Sequence, residues 1–104
     1  MNLASRFAAT RVDSSIVWPD PVPIAHERVL EGAPAAATLV LEDTPAYQLG
    51  LWRVSTGEFE TDHTGYLEYI HILEGSGQLV DSDGTVTELE PGVTVLMRPG
   101  WKGR

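Results

Sequence analysis

From Ala36 to Met97 the chain is a succession of short runs rich in β-branched and aromatic residues: ATLVLE, YQLGLWRV, YLEYIHIL, GQLVD, TVTEL and VTVLM. Turn-forming residues close them: EDTP, STGE, DHTG, EGSG, DSDG and EPG. No stretch there sustains a helical repeat with caps at its ends. Closely spaced short strands separated by turns predict an all-β antiparallel sandwich or barrel. Two turns carry their own chemistry. Asp83-Gly84 predicts a hairpin between GQLVDS and TVTEL, because glycine takes a positive φ without steric cost. Glu90-Pro91-Gly92 predicts a tight turn, with proline presetting one φ and glycine supplying freedom beside it. DSDG also invites a calcium reading, but its glycine follows the second aspartate and both flanks are strand-like. That is the wrong spacing for a helix-flanked calcium loop.

Residues 1–35 have a different texture and are expected to form an irregular N-terminal arm with an early strand. WPDPVP, from Trp18 to Pro23, holds three prolines that break any helix and favour an extended path along the surface. With 104 residues the chain is expected to form one domain, residues 36–104 making its barrel core. Seven Lys and Arg against fifteen Asp and Glu give a net charge of -8. Phosphate backbones and anionic membrane surfaces repel such a chain, so neither nucleic acid nor membrane is an expected partner. The local exception is Arg98, Lys102 and Arg104, where an anion would be welcome. The sequence has no cysteine, which excludes disulfides, thiolate ligands and a cysteine nucleophile. No serine stands in a nucleophile-elbow context. MNLASRFAATRVDSS lacks the unbroken apolar core of a secretory signal, and no apolar run approaches the length of a membrane span. The expected location is cytoplasmic.

The candidate chemistry lies in DHTGYLEYIHILEGSG, residues 62–77. Along a regular strand Glu68, Ile70 and Ile72 share one face, while Tyr69, His71 and Leu73 share the other. His71 therefore cannot join Glu68 on one ion and is expected on an outer or interface face. His63 differs. It precedes Gly65, where the chain can bend and carry the imidazole back over Glu68. A histidine converging on a carboxylate is either a hydrogen-bonded loop pair or part of a metal site, and two protein ligands are too few for a tight one.

GEFETDHTGYLEYIHILEGSG followed by DGTVTELEPGVTVLMRPGWKG resembles the cupin superfamily, the RmlC-like jelly rolls. More narrowly it is similar to the small single-domain cupins grouped with the ureidoglycine aminohydrolase cupin domain. Gly57, His63, Glu68 and Gly75 match the first cupin motif, and Gly92 and Gly100 match the second. GLWRVSTGEF, with Trp52, fits the subgroup's opening strand, and the resemblance runs from about Ala36 to Arg104. It implies a double-stranded β-helix barrel and, in metal-binding members, a four-ligand centre. Thr61 falls where the first histidine of that centre would stand, and Gly103 where the last would stand. His63 and Glu68 are thus two ligands of four. Arg98 also stands where proline is usual. Subgroup members usually continue past this point with a further closing strand, so the chain is expected either to be truncated after Arg104 or to have its edge completed by another copy. A homodimer is the expected assembly.

The default binding site in a small barrel is its inner pocket. Glu68 and His63 are the candidates for its polar lining and for any proton transfer. Ile70 shares the face of Glu68, and Trp52 and Trp101 are candidate aromatic walls. Arg98 and Lys102 could hold a ligand carboxylate. Two functions follow. One is a cupin that binds a small polar or anionic metabolite without a full metal site and without a cofactor. The alternative is a metal-dependent enzyme of the ureidoglycine aminohydrolase type. There manganese, zinc, iron or nickel on His63 and Glu68 would polarise a small nitrogenous or carboxylated substrate.

Overall fold

The longest element is an antiparallel hairpin, and the rest of the chain follows it in short paired ribbons. The computed structural model describes residues 7–104. In chain order its strands are β1 (Val22–Pro23), β2 (Val29–Gly32), β3 (Ala35–Asp43), β4 (Gln48–Val54), β5 (Gly57–Phe59) and β6 (Thr61–Asp62). They continue with β7 (Glu68–His71), β8 (Gly77–Val80), β9 (Val86–Leu89), β10 (Thr94–Met97) and β11 (Lys102–Gly103). The only helical element among the described residues is a 3-10 turn at His26–Arg28. None of their helices is long and apolar enough to cross a membrane.

Pairing is antiparallel throughout. β3 lies between β1 and β4, and the remaining strands pair as β2–β5, β6–β11, β7–β10 and β8–β9. The six strand-like runs of the sequence correspond to β3, β4, β7, β8, β9 and β10. The six runs did not include β1, β5, β6 or β11, of two or three residues each, or the four-residue β2, which lies in the arm where only an early strand was expected. Strands of two or three residues show no alternation to read. The N-terminal arm holds two short strands. Its prolines sit where a lost donor costs little, since Pro23 pairs with Ala35 at the sheet edge. The guanidinium of Arg53 lies 4.6 Å over the Trp18 ring and ties the arm to the hairpin.

One turn and one bulge shape the longer pairings. In the DSDG hairpin the Gly84 N–H donates to the Asp81 carbonyl at 2.9 Å, with Gly84 at φ 89°, so β8 returns as β9. The bulge between Val40 and Glu42 bends β3 against β4. Gly50 sits opposite it, where a Cβ would come within 2.6 Å of the Leu39 carbonyl oxygen.

Burial is unevenly spread. Among the described residues the buried apolar side chains are Ala37, Met97 and Pro34, and the buried polar one is His63. Ile70, Ile72, Val93 and Val95 are half-buried on the inward side of β7 and β10. The hairpin, by contrast, exposes Val40, Leu49 and Trp52.

Candidate functional site

Met97 and Glu68 face one another across β7 and β10, and Ile70 faces Val95 next to them. Strand alternation puts these four on one side. It puts Tyr69, His71, Thr94 and Leu96 on the other, where His71 Nδ1 lies 2.9 Å from the Thr94 hydroxyl. Tyr69 is largely exposed there. His71 thus belongs to the outer face, as strand parity requires.

His63 follows β6 directly and is anchored through its backbone. Its N–H donates to the Trp101 carbonyl at 2.8 Å, and its own carbonyl accepts from the Gly100 N–H at 2.9 Å. The chain then turns through Gly65 at φ 86°, a conformation that side chains other than glycine's resist. That turn brings the imidazole back to Glu68, with Nε2 3.5 Å from the Glu68 carboxylate. The two are within ion-pair reach but not aligned as a hydrogen bond, and both His63 ring nitrogens are buried without a hydrogen-bond partner. His63 is 2% exposed, whereas the Glu68 side chain is 46% exposed. The pair therefore has a sealed end and an open end.

Two aromatic rings make the seal. The Tyr66 ring centroid lies 4.8 Å from that of His63, tilted by 43°, and the Trp101 centroid lies 5.5 Å away, edge-on at 63°. Tyr66 is held by its own hydroxyl, which donates to the Asp62 carbonyl at 3.2 Å. Its role was not apparent from the sequence, where a tyrosine opening a strand reads as a structural residue. The available clue was its distance of three residues from His63 across a glycine. That separation closes a turn, and the Tyr66 N–H lies 3.3 Å from the His63 carbonyl.

The other expected site residues are placed as follows. Trp52 lies on β4 with its ring edge-on to Phe59 at 6.5 Å, and it makes no ring contact with the His63 cluster. Lys102 pairs with Asp62 at 3.7 Å. It sits directly opposite Asp62 in the β6–β11 ribbon, on the alternate face from Thr61 and Gly103. Arg98 is exposed, its carbonyl accepting the Trp101 N–H at 3.1 Å, and no carboxylate among the described residues pairs with it. Lys102 lines a cleft of about 600 Å³ that also has Arg28, Glu60, Asp62, Asp81 and Arg104 on its walls. Asp62 is held below the ordinary aspartate range, first by hydrogen bonds from the Thr64 hydroxyl and N–H and then by the Lys102 charge.

A metal centre of the four-ligand kind needs donors from residues 61 and 103 as well. Thr61 and Gly103 stand opposite one another and offer a hydroxyl and nothing. A side chain at Gly103 would also collide with the Val80 carbonyl oxygen and come to 2.7 Å of the Trp101 ring. Among the described residues no three His, Cys, Asp or Glu side chains converge on one point. The residues present do not fit that centre.

The family model for the EutQ-like cupin domain matches residues 41–104, more than half of the chain. The chain belongs to the EutQ-like cupin family. The match includes both motif regions and hence His63, Glu68, Trp101 and Gly103. The all-β, antiparallel organisation is the cupin jelly-roll architecture. No curated protein matches the chain.

Proposed function

We propose that this cupin is a binding protein for a small polar or anionic molecule, held at the open, Glu68 side of the His63–Glu68 pair with the Trp101 ring beside it. It works without a full metal site, in the cytoplasm and as a homodimer. The observation that carries this reading is His63. A buried imidazole with two unpartnered ring nitrogens costs free energy, on the order of 1–3 kcal/mol per unsatisfied group, unless something supplies the missing bonds. Glu68 offers the open, acceptor side of the same pair, and Arg98 is a nearby cation in the chain with no carboxylate partner among the described residues. The exposed edge of β4 and the apolar side chains of its hairpin support the dimer. The net charge of -8 favours solubility.

The test is a titration of the protein with small carboxylates and amides, read on the His63 ring by nitrogen-edited NMR. A saturable shift that disappears in Glu68→Gln and is absent in His63→Ala supports the reading. A His63 ring indifferent to every such probe removes it. For the assembly, sedimentation at micromolar concentration is expected to give twice the chain mass, and a monomeric mass abandons the dimer.

A second reading, a metal-dependent enzyme similar to ureidoglycine aminohydrolase, has one observation in its favour. Two of the four expected ligands, His63 and Glu68, do stand together at 3.5 Å. Stoichiometric manganese, zinc, iron or nickel in the untagged protein, lost in His63→Ala, turns the choice to that reading.

A further inference from the structure

One side chain, Trp101, lies against both residue 63 and residue 103. Trp101 immediately precedes β11 and lies two residues before Gly103. The six-membered ring of Trp101 is laid over Gly103: a Cβ built there would be 2.7 Å from Cζ2 and 2.9 Å from Cη2. The same indole meets the His63 ring edge-on at 5.5 Å. Trp101 therefore touches both positions that the cupin pattern uses for metal ligands on this side of the pocket. Behind Gly103 the Val80 carbonyl oxygen crowds the same Cβ position. Two hydrogen bonds between Val80 and Arg104, at 2.8 and 3.0 Å, fix that approach. Glycine at 103 is thus a steric requirement of the β8–β11 contact and of the indole resting on it.

We propose that Trp101, seated on Gly103, is an aromatic plug standing where a metal ion would sit. His63 and Glu68 then meet a ligand directly, as hydrogen-bonding groups, with the indole as a stacking wall. The plug makes the loss of the metal site a built feature of this chain: restoring one histidine does not restore the centre while the ring remains. Thr61 tests this directly, because it lies opposite Gly103 in the ribbon and a histidine there returns a third donor beside His63 and Glu68.

The inference rests on the His63 pocket being the binding site, and zinc separates the two questions. Metal-stripped wild type and the variants T61H, T61H/W101A and T61H/W101F are titrated with zinc chloride. Binding is measured by calorimetry and by the imidazole nitrogen shifts of His63. Wild type, T61H and T61H/W101F are expected to show no His63-dependent zinc binding, and T61H/W101A to take up one zinc. Three results overturn the plug. They are stoichiometric zinc on wild-type His63, T61H binding as tightly as T61H/W101A, and T61H/W101A binding none while folded by circular dichroism. If T61H/W101A does not fold, the wild-type and T61H spectra decide alone: a His63 nitrogen shift with zinc in either overturns the proposal, and its absence in both supports it. The carboxylate and amide titration of wild type stays informative in every case, so a failed plug is distinguishable from a failed binding site.

Discussion

The β3–β4 hairpin and the β6–β11 ribbon distribute pairing and burial in opposite ways. The hairpin has seven register pairs, yet Val40, Leu49 and Trp52 on it remain exposed. The ribbon has two register pairs, and next to it lies His63, the one buried polar side chain among the described residues. Backbone pairing satisfies donors and acceptors wherever strands run side by side. Burial needs a second layer of side chains. At the ribbon Tyr66 and Trp101 supply that layer locally, whereas Val40, Leu49 and Trp52 of the hairpin lack one among the described residues.

The sharpest way to break this contrast is at glycine. Gly103→Ala is expected to cost on the order of 3 kcal/mol or to prevent folding, because its Cβ meets backbone and indole at once. Gly65→Ala, where no atom lies within 4 Å, is expected to cost only about 1–2 kcal/mol, from the positive φ alone. Chemical denaturation of both variants checks the order. A Gly103→Ala protein as stable as wild type would mean that the ribbon is not packed as described.

The two tryptophans sharpen the comparison next. Trp101→Ala removes a half-buried ring and uncovers His63, with an expected loss of about 2–3 kcal/mol. Trp52→Ala removes a ring that is 54% exposed and edge-on to Phe59, with an expected loss of about 1 kcal/mol or less in the single chain. Should Trp52→Ala prove the costlier at concentrations where the protein is associated, and lose that excess on dilution, the hairpin face is covered by a second copy.

The smallest effect is electrostatic. Asp62 beside the ribbon and Asp83 in the β8–β9 turn are both held below the ordinary aspartate value of 3.8, by bonds from Thr64 and Thr85 respectively. A carboxyl lowered by folding contributes stability that is present above its unfolded value and is lost as pH falls through its folded value. Thr64→Ala and Thr85→Ala should therefore each lower the thermal midpoint slightly near neutral pH and flatten its fall below about pH 4. Both carboxylates are solvent-exposed, so shifts small enough to vanish in high salt are expected.

Much of the fold was legible in the order of residues. Alternating runs and their turns located six strands, and Asp83-Gly84 marked its hairpin. Strand parity set Glu68 and Ile70 apart from His71, and Gly65 allowed His63 to return to Glu68. Less was legible at the site's wall. Trp52 and Trp101 read alike in sequence, each a tryptophan within a few residues of a glycine and a basic residue. Only one reaches His63, because β11 pairs with β6 while β4 pairs with β3. That Lys102 stands across from Asp62 was not legible either, because their pairing joins segments forty residues apart.

The all-β architecture, the cupin motifs and the two missing ligand side chains were all readable from residue order. These depend on local conformational preference and on which atoms each residue carries. That the Trp101 ring lies over Gly103 and against His63 became visible only in three dimensions. Its position depends on contacts between β6, β8 and β11, segments brought together by pairing alone. Nothing in their local sequence encodes that distance.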